Sequence, residues 1–246
     1  MTTVAATLAA AGLSDIGNVR ETNQDAFLVD PDRGLFVVAD GMGGHRGGAT
    51  AAQAVVKHFP ALLDRHVADT RGRVGAALRG SILELSALIR VAGDRSPENR
   101  GMGTTIACLL FRGDKAFVAH MGDSRVYLWR RAMSALTRDH SLTALLVREG
   151  EISRRAAARH PGRGQLTRYI GMEQEIYPDV SRIEVRPGDR FLLCTDGLWQ
   201  SLPEKRMGRL LSTGDDPVSI CRTLIDEGKT AGGDDNLTGV VVAVAK

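Results

Sequence analysis

Short apolar runs separated by turn residues recur along the chain. This pattern predicts strands over residues 26–29, 35–39, 104–111, 116–120, 125–129, 182–185, 191–194 and 237–244. Several of these runs are separated by two to four turn residues, as at 112–115. Such short connections favour antiparallel hairpins over crossover connections.

Two longer stretches, 49–67 and 74–91, carry apolar residues at helical spacing and follow one another directly, which predicts a helical hairpin. Shorter helices are predicted at 142–149 and 154–160, with Ser153 as an N-cap, and a last helix after Asp216. Strands and helices are thus grouped and do not alternate. This order predicts an α+β fold with antiparallel sheets, the helical hairpin covering one sheet and the last helix the other.

Four aspartates, Asp40, Asp123, Asp196 and Asp235, each lie beside an apolar run and next to glycine or a small polar residue. Any one of them alone is well explained as a turn residue. Four carboxylates at one loop mouth would repel each other strongly unless cations lay between them. The coincidence therefore predicts a metal site with oxygen ligands, and hydrolytic or phosphoryl chemistry.

Arg20, five residues before Asp25, is a candidate phosphate ligand, because a guanidinium can donate two parallel hydrogen bonds to a phosphate. Taken alone, this stretch is better explained by a solvated surface arginine. The glycine-rich run after Asp40 lacks the Gly-Lys-Ser/Thr of a P-loop and does not match the dinucleotide fingerprint.

Composition narrows the class of protein. The chain has 246 residues, 43% hydrophobic, and a net charge of +3, which suits one domain over 1–246 and gives no case for nucleic-acid binding. Its three cysteines, Cys108, Cys194 and Cys221, form no close pair, as in proteins of reducing compartments. No basic start precedes the apolar N-terminal stretch, and no apolar run is long enough to span a membrane. We therefore expect a cytoplasmic protein without membrane association.

Seven motifs occur in a fixed order: SDIGNVRETNQDAF, VADGMGGHRGG, MGTTIA, AHMGDSRVYLW, TRDHSLTALLVREGEI, LLCTDGLW and GGDDNLT. Together they resemble the bacterial form of the metal-dependent protein phosphatases of type 2C, the PPM family. The resemblance runs from Ser14 nearly to the C-terminus. It implies a sandwich of two antiparallel sheets flanked by helices, with a helical flap insert at about residues 141–168.

The resemblance also implies unequal roles for the site residues. The residue matching Asp40 bridges two Mn²⁺ or Mg²⁺ ions, and the one matching Gly41 offers its backbone carbonyl to one of them. Asp196 and Asp235 are implied as ligands of the same pair of ions, and Asp25 is implied to act through metal-bound water. Asp123 is implied to hold a weaker third ion, and Asn236 to shape the loop.

The implied reaction is hydrolysis of phosphoserine or phosphothreonine by a hydroxide that bridges the two ions, with Arg20 holding the phosphate and Asp40 as the central ligand. The implied partners are phosphorylated proteins, either the substrates of a bacterial Ser/Thr kinase or the kinase itself, met by a monomeric enzyme. A catalytically weak phosphoprotein-binding module or partner-switching regulator is the alternative.

The chain departs from the family pattern at Met42, where some relatives carry a histidine proposed as general acid. His45, three residues further on, is interpreted as a loop-structural residue. The flap carries six arginines: Arg148, Arg154, Arg155, Arg159, Arg163 and Arg168. A solvated basic face is the default interpretation. The alternative is that they steer acidic phosphopeptides toward the site.

Overall fold

The structure, a computed structural model, describes residues 7–42 and 47–245. One sheet consists of β1 (Leu8–Asp15), β11 (Leu237–Val244), β10 (Arg190–Cys194), β7 (Arg125–Arg130) and β8 (Ala132–Ala135), in that spatial order. The other consists of β2 (Asp25–Asp30), β3 (Leu35–Met42), β5 (Ile106–Arg112), β6 (Lys115–Met121) and β9 (Asp179–Glu184), and the short β4 (Gly103–Thr104) pairs with β3. Every pairing is antiparallel.

The helices are α1 (Gly47–Asp69), α2 (Val74–Asp94), α3 (Leu142–Arg148), α4 (Arg154–Ala157), α5 (Asp196–Ser201), α6 (Glu204–Ser212) and α7 (Pro217–Thr230), with a 3-10 turn at Pro97–Asn99. Asp216 caps α7 by accepting from the backbone N–H groups of Val218 and Ser219. Ser153 caps α4 through the N–H of Ala156, as predicted. None of the helices within 7–42 and 47–245 is long and apolar enough to cross a membrane.

Three layers of apolar packing hold the elements together. Strand β3 belongs to two of these layers. Its residues Val37 and Ala39 pack against α1 and α2, while Phe36 and Val38 point into the space between the sheets. A strand buried on both faces needs a continuous apolar run, because successive side chains alternate between the faces. A third cluster, which includes Leu192 and Val241, packs against α5, α6 and α7. The layers therefore follow the order helix, sheet, sheet, helix, and the predicted fold class is confirmed.

The boundaries differ from the sequence expectations at several places. Strand β9 begins at Asp179, three residues before the predicted start, because its polar stretch pairs with β6. The predicted 154–160 helix ends at Ala157. Strands β1 and β8 and helices α5 and α6 were not predicted. The glycine-rich run after Met42 includes His45, which lies outside the described residues.

Candidate metal and phosphate site

Two of the predicted ligands lie on neighbouring strands. Asp25 at the start of β2 stands directly opposite Asp40 near the end of β3. The buried carboxylate of Asp25 accepts hydrogen bonds from the hydroxyls of Thr195 (2.7 Å) and Thr238 (2.6 Å). The backbone of Asp40 is fixed by Thr105, whose side-chain oxygen accepts from the Asp40 N–H at 3.0 Å. The hairpin between β2 and β3 thus delivers two carboxylates to one place.

Gly41 follows Asp40 at a point where no side chain fits. A Cβ atom at Gly41 would lie 2.1 Å from the carbonyl oxygen of Gly48 and 2.7 Å from that of Gln24. The Gly41 N–H donates to the same Gln24 oxygen at 3.1 Å. Close backbone approach therefore requires a glycine at this position.

The other sheet contributes Asp196 and Asp235. Asp196 is the first residue of α5, two residues after the end of β10, and Asp235 lies two residues before β11. The backbones that follow these two aspartates are in close contact, since a Cβ at Gly197 would lie 2.0 Å from the carbonyl oxygen of Asn236. Gln200, one turn along α5, donates from Nε2 to Oδ2 of Asp196 at 2.7 Å.

Asn236 acts as a connector beside this pair. Its side chain is buried, accepts from the backbone N–H of Gln24 (2.8 Å), and donates to the carbonyls of Ile16 (2.9 Å) and Thr22 (3.1 Å). The segment that carries Arg20 is thereby fastened to the strand that follows Asp235. The role of Asn236 in shaping the loop stays a prediction, which these three hydrogen bonds make testable.

Asp123 lies in the turn between β6 and β7, after Gly122 at φ +104°. Its carbonyl oxygen accepts from the indole Nε1 of Trp199 at 3.0 Å. The guanidinium of Arg125 stacks on the Trp199 ring at 3.5 Å and forms two hydrogen bonds with Asp139, of 2.8 and 2.7 Å. The turn is thus clamped to α5, which also carries Asp196.

The clustered aspartates have raised pKa values, because several buried carboxylates lie close together. Burial, and then repulsion from neighbouring carboxylates, raises the pKa of Asp25 to about 7 and that of Asp123 to about 8. Burial followed by the charges of Asp196, Asp25 and Asp123 raises the pKa of Asp40 well above its usual value. Burial also raises the pKa of Asp196, with the charge of Asp235 as the next cause. Such a donor set fits divalent cations, because they would offset this repulsion.

Arg20 lies at the exposed rim of the cluster. Its Nη2 donates to Oδ2 of Asp235 at 2.7 Å, and its charge also acts on Asp196 and Asp40. The structure therefore brings the predicted residues to one site: Arg20, Asp25, Asp40, Gly41, Asp123, Asp196 and Asp235, with Asn236 beside them.

Four contributors to the site were not predicted: Thr195, Thr238, Gln200 and Trp199. Thr238 carries a weak signal, because it is a polar residue near the start of a strand that is otherwise almost wholly apolar. A buried hydroxyl in such a run needs a partner, and here the partner is Asp25.

A second group of possible metal ligands lies next to the turn that carries Asp123, because His140 bonds the backbone of Gly122. Donor atoms of His120, His140 and Asp179 all lie within 4.8 Å of one another. The two imidazole rings stack with centroids 4.5 Å apart. Three of the ring nitrogens are hydrogen-bonded: His120 Nε2 with the carbonyl of Arg138 at 2.9 Å, His140 Nε2 with Asp179 at 3.3 Å, and His140 Nδ1 with the N–H of Gly122 at 3.2 Å. Because these hydrogen bonds join β6 and β9 to the base of residues 141–168, we interpret the group as a structural anchor.

Comparison with known proteins agrees with this geometry. A family model described as Protein phosphatase 2C matches residues 17–228. The serine/threonine phosphatase stp of Listeria monocytogenes is 32% identical, over 93% of this chain and 93% of its own length. The crystal structure of the Mycobacterium tuberculosis serine/threonine phosphatase PstP/Ppp superimposes with a TM-score of 0.88 at 33% identity, over 97% of this chain and 99% of that one.

A second structure, of the PstP catalytic domain in complex with two manganese ions, has a TM-score of 0.81 at 31% identity, again over 97% and 99% of the two chains. The prediction of a bacterial protein-serine/threonine phosphatase is confirmed by these relatives, and the alternative of an inactive binding module gains no support from them. The chain belongs to the protein phosphatase 2C family.

Proposed function

We propose that the chain hydrolyses phosphoserine and phosphothreonine in proteins with the help of divalent cations held by the aspartate cluster. The observation that carries this proposal is the convergence of Asp25, Asp40, Asp123 and Asp196, all with raised pKa values, beside Asp235 and Arg20. Repulsion between buried carboxylates destabilises the folded protein and so does not serve its stability. The arrangement is explained if the carboxylates bind cations.

The ligands of this proposed centre are Asp25, Asp40, Asp196 and Asp235 with the carbonyl of Gly41 for two ions, and Asp123 for a weaker third. The manganese of the related PstP structure supports Mn²⁺, and the hard oxygen donors also suit Mg²⁺. Bound cations would polarise the phosphoryl oxygens and make a water more acidic.

The chain's own residues have separate tasks around that centre. Arg20 is exposed enough to donate to a phosphate that enters from solvent, and it holds the phosphoryl group in place. Thr195 and Thr238 orient Asp25, and Gln200 orients Asp196. A covalent route through Cys194 is disfavoured, because the thiol is fully buried and burial raises its pKa far above neutrality.

We propose one phosphatase domain over residues 1–246, with residues 141–168 as the flap segment, acting as a cytoplasmic monomer on proteins phosphorylated by a Ser/Thr kinase or on the kinase itself. The three cysteines are unpaired and buried, which suits a reducing compartment.

The direct test is hydrolysis of p-nitrophenyl phosphate and of a phosphothreonine peptide, with Mn²⁺, with Mg²⁺ and with EDTA. We expect turnover of both substrates that EDTA abolishes and that added Mn²⁺ restores. Turnover that persists after complete chelation, or none with either ion, would contradict the proposal.

A further inference from the structure

A cavity of about 550 Å³ separates the flap segment from β7 and α5. One wall is formed by flap residues, among them Ala144, Val147 and Ala157, and the other by Arg125 and Trp199. Asp123 also lines this cavity, and its carboxylate interacts with that of Asp196. The cavity therefore adjoins the aspartate cluster, where the phosphate of a substrate would lie.

The negative charges of two acidic side chains in the cavity wall are balanced by the guanidinium of Arg125. Asp139 forms two hydrogen bonds with the guanidinium of Arg125. Glu204 lies 3.8 Å from Nη1 of the same guanidinium and accepts from Tyr127 at 3.4 Å. Neither carboxylate is thus an unopposed negative charge in the cavity.

The flap contributes two arginines, Arg154 and Arg163, that form no ion pair with any described carboxylate. Arg163 donates to the amide oxygen of Gln200, a neutral partner. Within the described part of the chain, no carboxylate lies in ion-pair distance of Arg163 or Arg154, although both line the cavity. A cavity that presents two unpaired guanidinium groups is complementary to an anionic group.

The remaining flap arginines differ in placement. Arg155 and Arg159 are exposed but are not among the residues that line the cavity. Arg148 pairs with Glu149, and Arg168 pairs with Asp179. The six flap arginines are therefore not equivalent: all of them are described by the structure, and of these Arg154 and Arg163 alone line the cavity beside Asp123.

We propose that this cavity binds an acidic side chain of the phosphoprotein substrate, close in sequence to the phosphorylated residue, through Arg154 and Arg163. The inference rests on the proposed function, since it needs the phosphate to lie at the aspartate cluster. A glutamate suits the space, because its methylene groups can lie against Ala144 and Val147 while its carboxylate meets the arginines. Gln200 links this subsite to the reaction centre, since it contacts both Arg163 and Asp196.

The test compares two phosphothreonine peptides that differ only in glutamate or glutamine at the flanking positions. With the full chain and Mn²⁺, we expect kcat/KM to be about 10-fold higher for the glutamate peptide at low salt. The double variant Arg154→Gln/Arg163→Gln should lose this ratio. The matched control Arg155→Gln/Arg159→Gln removes the same charge from the same segment and should keep it. Because each variant is judged by a ratio, any loss of activity common to both peptides cancels.

Three outcomes would overturn the inference. Equal hydrolysis of both peptides by the wild-type enzyme would do so while leaving the proposed phosphatase function intact. An equal fall of the ratio in both double variants would show a general field of the flap and no defined subsite. A third peptide with leucine flanks, if preferred over glutamate, would show that the cavity takes an apolar side chain. Absence of turnover on every peptide and on p-nitrophenyl phosphate would instead refute the proposed function itself.

Discussion

Arg20 and Asp235 form an ion pair of 2.7 Å at the rim of the aspartate cluster, with their side chains 51% and 36% exposed. A residue suited to bind phosphate is thus paired with a carboxylate suited to bind a cation. A cation on Asp235 would compete for that carboxylate and leave the guanidinium available for a phosphate. On the proposed function, the pair would therefore link cation binding to phosphate binding.

We predict that Arg20→Ala raises KM for p-nitrophenyl phosphate and lowers kcat/KM about 10- to 100-fold, because a charge-assisted contact to the phosphoryl group is lost. Arg20→Lys should recover part of the loss, since it restores the charge without the paired donors. Steady-state kinetics measure both effects. Arg33→Ala is the control, because Arg33 pairs with Asp30 and Asp64 and makes no described contact with the cluster. A KM unchanged in Arg20→Ala would show that Arg20 only balances Asp235.

Asp40→Asn should abolish tight Mn²⁺ binding measured by calorimetry, because it removes the carboxylate at the centre of the cluster. The same change should raise the melting temperature of the metal-free protein, since one repelling buried charge is removed. Asp179→Asn is the matched control, because it removes a carboxylate from the compact histidine group. If Asp179→Asn lost the ions and Asp40→Asn kept them, the site would lie at His120 and His140.

Asp123→Asn tests the proposed third ion. We expect turnover to fall while two Mn²⁺ ions per chain remain bound, because the Asp123 turn is held by its backbone contact with Trp199 and should persist in the variant. Metal content by elemental analysis at several Mn²⁺ concentrations measures the difference. Loss of all ions in this variant would place Asp123 in the main pair.

The buried histidine pair should make stability depend on pH. Burial, then the neighbouring His120 and Arg168, lower the pKa of His140 to about 4, although Asp179 opposes the shift. A histidine with a lowered folded-state pKa contributes stability that is fully present above about pH 6.5 and is lost as the pH falls toward 4. We expect the contribution of His140 to the free energy of unfolding to fall by on the order of 2 kcal/mol over that window.

Denaturant titrations at several pH values measure this dependence. His140→Gln is the comparison, because it keeps a polar side chain without the titrating ring, and every aspartate of the cluster is present in both proteins. The difference in unfolding free energy between wild type and variant should therefore shrink as the pH falls from 6.5 to 4. A difference that stays constant with pH would contradict the assignment.

Asn236→Ala should destabilise the protein by about 2–4 kcal/mol, because three backbone groups lose their buried partner. It should also weaken phosphate binding, since the segment bearing Arg20 is no longer fastened to β11. Thermal unfolding and the KM for p-nitrophenyl phosphate measure the two effects. Asn18→Ala is a control of the same residue type, whose amide instead bonds the carbonyls of Lys229 and Gly232 at the surface.

The fold class and the phosphatase assignment could be predicted from sequence, because they depend on local apolar patterns and on an ordered set of motifs that resembles the family. Apolar runs of strand length predicted the central strands of both sheets, since side chains buried on both faces must be apolar. Asp40 and Asp196 were recognisable because each follows such a run. Strand β1 was not predicted, because its small residues give only weak alternation of apolar and polar positions. Its partner β11 lies at the other end of the chain.

Only the tertiary structure decided how these residues meet. Asp25 receives its hydrogen bonds from Thr195 and Thr238, which lie 170 and 213 residues away in sequence. Likewise, the sequence could not separate Arg154 and Arg163 from the other flap arginines, because a four-residue helix and a turn decide which of them face the cavity. Residue types and spacings determine which groups are available. Their separations, and hence their charges and partners, depend on packing between segments that are distant along the chain.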